Sequence, residues 1–421
     1  MKKPYQKLKY ACYASNITMS AVGNLAPLLF LTFKDLYGIP YSLLGSLVLI
    51  NFFTQLTVDL IFSFFSHRFN IPKTVKSIPV IAAFGLVVFA LAPTIFPNVK
   101  VLGVSAVYIG LVLGTIIFSA ASGLNEVLIS PVIAAIPSDD PDREMSKLHS
   151  IYAWGVVGVV VLSTAYLSIP GINWQWLPVI LTVIPLTSSL LYIGSPLPKM
   201  QTAERASGAF KFLKNSGVMI FIVGIFLGGA SECIMAQWAS SYAERALAIP
   251  KAAGDIFGAA LFAVALGIGR SLYAKIGKNV ERVLCLGSLS AVLCYLIASL
   301  CPIPVVGLLA CALTGFCVSM LWPGSLIAAE HKLPAGGVVM YAMMAAGGDL
   351  GASVGPQLVG VITDTAIAVP QISSFANTLG MTADQLGMRL GILIGAAFPL
   401  AAFFLFLVLV RRMKRGSKNE T

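Results

Sequence analysis

Four carboxylates, Asp59, Glu126, Glu232 and Asp349, sit inside stretches that are otherwise apolar. A charge at the centre of a bilayer costs at least about 3 kcal/mol on insertion scales, so an acid in such a run faces an interior or a cavity and marks a path for protons or ions. A buried carboxyl can take and release a proton, and its charged form can accept hydrogen bonds from hydroxyls. Two of the four belong to regular stripes. Asn51, Gln55 and Asp59 recur at intervals of four, and Asp349, Ser353 and Gln357 do the same; residues so spaced share one face of a helix. Ser119, Ser122, Glu126 and Ser130 line one side of a further helix, with Asn125 about 100° round from the acid. Glu232 is followed by Gln237, Trp238 and Ser241. Asn16, Asn24, Asn125, Glu126, Glu232, Gln237 and Trp238, with Trp154 and Trp322, are the kinds of polar groups and aromatic rings that a ligand pocket draws on. Each amide or tryptophan taken singly reads equally well as packing, and both stripes as hydrogen-bonding glue between helices.

The chain that positions them is 57% hydrophobic and 11% charged, with a mean hydropathy of +0.88. Soluble domains are about half apolar and a quarter charged, so these values define a polytopic membrane protein. Apolar runs occupy about 9–33, 41–66, 77–93, 101–134, a stretch ending near 168, and another ending near 194. A second set follows at about 216–246, 252–274, 281–300, 303–328, 336–362 and 386–410. The net charge of +11 does not point to nucleic acid, because the segments on one side hold 23 Lys and Arg and those on the other hold five: Lys34, Lys100, Arg245, Lys251 and Arg389. That partition follows the positive-inside rule for an even number of spans, with both termini in the cytoplasm. MKKPYQKLKY opens an apolar run of more than 20 residues and is read as an uncleaved first span. The seven cysteines form no CxxC or metal-ligand spacing, no phosphate-binding GxxxxGK[ST] is present, and no Ser-His-Asp set suggests an enzyme.

The basic stretch PLPKMQTAERASGAFKFLK divides the chain into residues 1–195, a cytoplasmic connector at 196–214, and residues 215–421. The expected fold is all-α, twelve transmembrane helices in two six-helix halves, the plan of carriers built from parallel repeats. Internal repetition agrees: Ile39-Pro40 and Ile249-Pro250 open corresponding spans, FSFFSHRFNIPK and GRSLYAKIGKN end them, and Pro131 corresponds to Pro323. Glycines at 347, 351 and 355, and at 155 and 158, offer flat surfaces for close helix contact. His67, His149 and His331 fall at loop ends as caps or pairing groups, and Asp139, Asp140, Asp142 and Glu144 form a solvated loop.

Gly269-Arg270 followed by Lys275, Gly277 and Lys278 resembles the glycine and basic loop signature of the major facilitator superfamily, with Ala274 at the usual aspartate and a degenerate copy, His67-Arg68 and Asn70, in the first half. GGASECIMAQWASSY at 228–242 and LHSIYAWGVVGVV at 148–160 resemble the fucose permease branch of sugar:proton symporters. The resemblance implies that helices 1, 4, 7 and 10 line a central cavity. It gives a gating role to Asn51, Gln55, Asp59, Asp349, Ser353, Gln357, Arg270 and Lys275, and favours Glu126 as proton carrier, with Glu232, Asp59 and Asp349 as further candidates. The branch's acidic residue in helix 1 is replaced here by Asn16 and Asn24. The implied function is import of a small neutral hydroxylated solute, a monosaccharide, by proton symport and alternating access, by a monomer in a bacterial inner membrane, with no cofactor beyond the proton gradient. A proton-antiporting drug or metabolite exporter of the same fold and a non-transporting membrane sensor are the rival readings.

The charge partition makes a topological prediction. With single cysteines at Gln201 and Ser374 in a cysteine-free background, an impermeant thiol reagent added to intact cells should label Ser374→Cys and spare Gln201→Cys. Equal labelling would defeat the twelve-span topology.

Overall fold

A computed structural model describes residues 5–65, 68–96, 99–101, 103–137, 141–198, 216–276, 279–332 and 337–416. The expected connector from 199 onward, His67, Asp139, Asp140, Gly277 and Lys278 lie outside the described residues, as do the side chains of Ser130, Asp142, Glu144, His149 and His331.

A helix fills every segment that the hydropathy marks. The first six are α1 (Gln6–Tyr37), α2 (Tyr41–Phe65), α3 (Ile71–Ala90), α4 (Val107–Ala135), α5 (Pro141–Leu167) and α6, which runs Trp176–Leu181 and then Val183–Tyr192. After them come α7 (Ser216–Arg245), α8 (Lys251–Gly254 through Leu261–Ile276), α9 (Val280–Leu300), α10 (Pro304–Val318, then Leu321–Lys332), α11 (Gly337–Ala368) and α12 (Ala383–Gly395, then Ala397–Gly416). Among the described residues nine helices are long and apolar enough to cross a membrane. Part of α11 joins them as a span if its bent continuation, Pro370–Thr378, is counted with it, and the apolar parts of α5 and α6 are shorter. Lys100–Val101 pairs antiparallel with Val104–Ser105 between α3 and α4, a minimal ladder that the all-helical expectation did not include.

Prolines explain where helices break. Proline supplies no N–H to the carbonyl four residues earlier, and its ring crowds that carbonyl. Accordingly α6 is interrupted at Thr182, three residues before Pro185; α10 at Ser319, four before Pro323; and α12 at Ala396, three before Pro399. Asp255–Ala260 in α8 is one turn of π-helix, the irregularity that often marks functional positions. Other ends are capped conventionally. Gly38 takes φ +65° beyond α1 and donates to Lys34 O, Asn70 accepts from Lys73 N at the start of α3, and Thr382 with Gln385 forms a capping box at α12.

The chain forms two compact units, Met1–Ile39 with Ile50–Ala206, and Pro40–Leu49 with Ser207–Thr421. The sequence division put all of α2 in the first half; its opening residues group instead with the second unit, where Tyr41 N and Ser42 N donate to the Asp364 carboxylate at 3.1 and 2.6 Å and the Tyr41 hydroxyl donates to Asp384 at 3.0 Å. A carboxylate at a helix N-terminus meets both the unsatisfied N–H groups and the positive end of the dipole. In the first unit α3 and α4 meet where Gly85 faces Phe118 and Gly114 faces Phe89. In the second, α11 lies along α7 through Gly347, Gly351 and Gly355, which face Ile222, the Phe226 carbonyl and Ala230. Gly155 abuts Ser20 on α1, whereas a side chain at Gly158 would meet nothing within 4 Å, so that glycine is no contact surface.

This contrast is testable. Gly351→Ala forces a methyl against the Phe226 backbone and should cost about 1–3 kcal/mol. Gly158→Ala should be neutral, or stabilising by up to about 1 kcal/mol through helix propensity. Thermal unfolding of the detergent-solubilised protein reads both.

Candidate functional site

In the first unit Asp59 on α2 and Glu126 on α4 bring carboxylate oxygens within 4.8 Å of one another. Their approach is prepared by Gly123, one turn before Glu126, against which the backbone of Gln55 and the side chain of Val58 lie. One turn further along, Asn51 Oδ1 accepts from Ser119 Oγ at 2.6 Å, so the Asn51 end of the predicted stripe joins α2 to α4. Asp59 is half-buried and Glu126 exposed; two negative charges this close repel, and one added proton relieves that repulsion.

The amides on the neighbouring face of α4 do other work. Asn125 Nδ2 donates to Asn16 Oδ1 at 2.8 Å, and Asn16 Nδ2 donates to Leu148 O at 3.0 Å, which ties α4, α1 and α5 together. Asn24 bonds only to Ser20 O, one turn back on its own helix. These bonds commit Asn16 to contacts between helices; the Asn24 bond stays within α1. Asn125 Oδ1 is buried without a partner among the described residues and borders a small cavity lined by Ser15, Thr18, Met19 and Ser122, a place for a bridging water. Trp154 is 70% exposed on α5.

In the second unit Glu232 on α7 receives both its hydrogen bonds from Nη2 of Arg270 on α8, each 3.1 Å long. Arg270 lies within α8 and forms a charge pair between spanning helices. Its position follows from proline chemistry. Pro323 cannot donate to the Ser319 carbonyl, and Arg270 Nε donates there instead, at 3.1 Å. Gly269, the other half of the predicted loop signature, lies against Ser319 and lets α8 approach α10 at that break. Trp322 packs its ring over Gly348 and Gly229 beside this corner. Cys233 on α7 lies within electrostatic reach of Glu232 and Arg270, and also of the buried Asp349 on α11.

The remaining predicted residues are placed differently. Trp238 is 1% exposed and donates to Pro356 O at 2.9 Å, which makes it a seal between α7 and α11 rather than a platform for a ligand. Gln237 and Gln357 each hold a buried Oε1 with no partner among the described residues, and Gln357 lies beside Gly45 in the second unit. Ser353 bonds back to Leu350 O on its own helix, and Lys275 is exposed near the end of α8. Two acids escaped the sequence reading. Asp364 caps α2, and the fully buried Asp255, at the π-turn, accepts from Ser240 and pairs with Lys251 at 3.4 Å. Asp364 could have been suspected from its place near the end of an apolar run facing the Ile39-Pro40 helix start.

Apolar helices of spanning length, with ionisable groups clustered within them, define a multi-pass membrane protein, and its family makes it a transporter. The chain belongs to the Major Facilitator Superfamily, whose family model matches residues 11–356. No curated protein sequence matches it. Solved structures share its fold at low identity. A bacterial homolog of the human lysosomal transporter Spinster, inward-facing and occupied, superposes with a TM-score of 0.76 at 12% identity over 98% of both chains. A point mutant of the nucleoside transporter NupG gives 0.72 at 14% identity over 96% of this chain and 99% of that one. A point mutant of the E. coli fucose:proton symporter FucP gives 0.62 at 15% identity over 96% and 98%.

Removing one member of a buried ion pair strands the other. The pair here is partly open, with side-chain exposures of 40% for Arg270 and 16% for Glu232, which lowers the expected cost. Arg270→Gln and Glu232→Gln should each destabilise by about 1–3 kcal/mol and the double variant by less than their sum. A double-mutant cycle on thermal unfolding measures this.

Proposed function

We propose that the protein is a proton-coupled symporter for a small hydroxylated solute of monosaccharide size, working by alternating access in a bacterial inner membrane with both termini cytoplasmic. The observation that carries the coupling is the Asp59–Glu126 pair within the first unit. A facilitator for an uncharged solute gains nothing from two carboxylates brought together in spanning helices, whereas a symporter needs one group whose charge changes as a proton binds. Glu126 carries the proton in this reading and Asp59 makes its uptake favourable. The charge partition supports the orientation. The sugar class draws on the likeness to the fucose:proton and D-xylose-proton symporter structures, at 15% and 13% identity, and on the polar inventory of α1, α4 and α7.

Glu126→Gln keeps shape and hydrogen-bonding capacity but cannot ionise. It should abolish accumulation driven by a pH gradient, so that internal solute only equals external, while leaving counterflow exchange within a few-fold of wild type. Uptake and counterflow in proteoliposomes, screened over neutral and acidic monosaccharides, decide it. Uphill accumulation by Glu126→Gln with the wild-type pH dependence would place the proton elsewhere.

A further inference from the structure

Arg270 is held by two of its three nitrogens. Nε is fixed on the Ser319 carbonyl and Nη2 on the two oxygens of Glu232, while Nη1 makes no hydrogen bond among the described residues. The side chain is 40% exposed although it projects from an apolar spanning helix. A guanidinium binds a planar carboxylate best through two parallel N–H groups, and here Glu232 engages only Nη2. The arginine is thus anchored from behind by a proline-freed carbonyl, neutralised through one nitrogen, and open along the rest of its edge.

We propose that Arg270 is the recognition site for a carboxylate on the transported solute, which exchanges with Glu232, and that Glu232 takes up a proton as the solute binds. This rests on the transporter reading above and narrows its substrate from neutral sugars to small hydroxylated monocarboxylates such as sugar acids. The charge balance requires the exchange. Empty, the corner holds one guanidinium and one partnering carboxylate. A second carboxylate on the same guanidinium would leave one uncompensated negative charge at low dielectric, and one proton removes it. Asp349 on α11 is a further buried acid, within electrostatic reach of Cys233 on α7. The other ionisable groups facing this part of α7 are the Cys233 thiol, on α7 itself, and Tyr295 on α9, which donates to Ser231 O. The solute carboxylate and the Glu232 proton cancel; the proton on Glu126 is a second one, so the acid enters with one net positive charge. A neutral sugar has nothing to offer Arg270 that Glu232 does not already supply.

The test is ligand-induced thermal stabilisation of the full-length detergent-solubilised protein by matched pairs, glucose with glucuronate, galactose with galacturonate, and glycerol with glycerate, from about pH 5.5 to 8. The acid of at least one pair should bind at least tenfold more tightly than its neutral partner. Its affinity should rise about tenfold for each unit of falling pH until Glu232 stays protonated in the empty protein, the slope of one linked proton. Glu232→Gln should bind it without that slope, at the affinity wild type reaches in acid. Arg270→Gln should lose at least tenfold. Arg270→Lys, which keeps the charge but not the fork, should bind more weakly than wild type and still show the slope. Stabilisation by the neutral member alone, acid binding that survives Arg270→Gln, a pH slope that persists in Glu232→Gln, or silence across all three pairs overturns the proposal. The proteoliposome screen separates the two readings: concentrative uptake of a neutral sugar alone keeps the symporter and sinks the carboxylate site, whereas Arg270-dependent acid binding without transport of any solute does the reverse.

Discussion

Inside hydrocarbon no water can satisfy a carbonyl that a proline has freed or a helix end has left over, so each such group must find a donor within the protein. Much of the second unit is organised by this requirement. Ser319 O, deprived of its helical partner by Pro323, is met by Arg270. The end of α9 offers Ala298 O to the Tyr242 hydroxyl, and Ser299 O and Cys301 O to Arg389. Mid-helix carbonyls take second donors as well: Pro356 O accepts from Trp238, and Ser231 O from Tyr295. Polar side chains that composition alone would assign to a pocket are thereby spent on backbone groups, and they fix how the helices sit against one another.

The same requirement separates the acids by chemistry. In the first unit a carboxylate meets a carboxylate, and the repulsion between Asp59 and Glu126 is relieved by a proton. In the second unit a carboxylate meets a guanidinium, and the pair of Glu232 and Arg270 is neutral without one. Each arrangement belongs to its own unit and follows from local causes: Gly123 permits the close approach of α2 and α4, and the Gly269–Ser319 contact brings Arg270 to the break in α10. The expectation that Glu232 holds sugar hydroxyls assumed an unpartnered acid. In the structure both Glu232 oxygens are taken by Arg270.

Buried polar residues of the first unit divide in a comparable way. Asn16 and Asn125, which read from composition as ligand groups, satisfy one another and Leu148 O. Side-chain hydrogen bonds between membrane helices contribute only modestly to stability, so their role is register, holding α1, α4 and α5 at one mutual setting. That setting fixes which face of α4 carries Glu126, about 100° away from the amide.

The sequence by itself determined what depends on local composition and order: the membrane class, the helical segments, and the acids that could not face lipid; which prolines break a helix it did not, since Pro27, Pro79 and Pro356 lie inside unbroken ones. Hydropathy acts within a few residues, and those features were legible for that reason. Tertiary structure alone decided partnership. Arg270 reads as part of a glycine and basic signature at the end of the run 252–274, and only the fold shows that a carbonyl 49 residues away claims it. Trp238 reads as a platform beside Glu232, yet it closes against a carbonyl 118 residues on. Asp364 reads as the end of an apolar run until the start of α2 is found upon it, 322 residues distant. A residue's type fixes which bonds it can make. Which of them it does make is settled by the donors and acceptors that helix packing brings within about 3 Å, and that distance is a property of the folded chain.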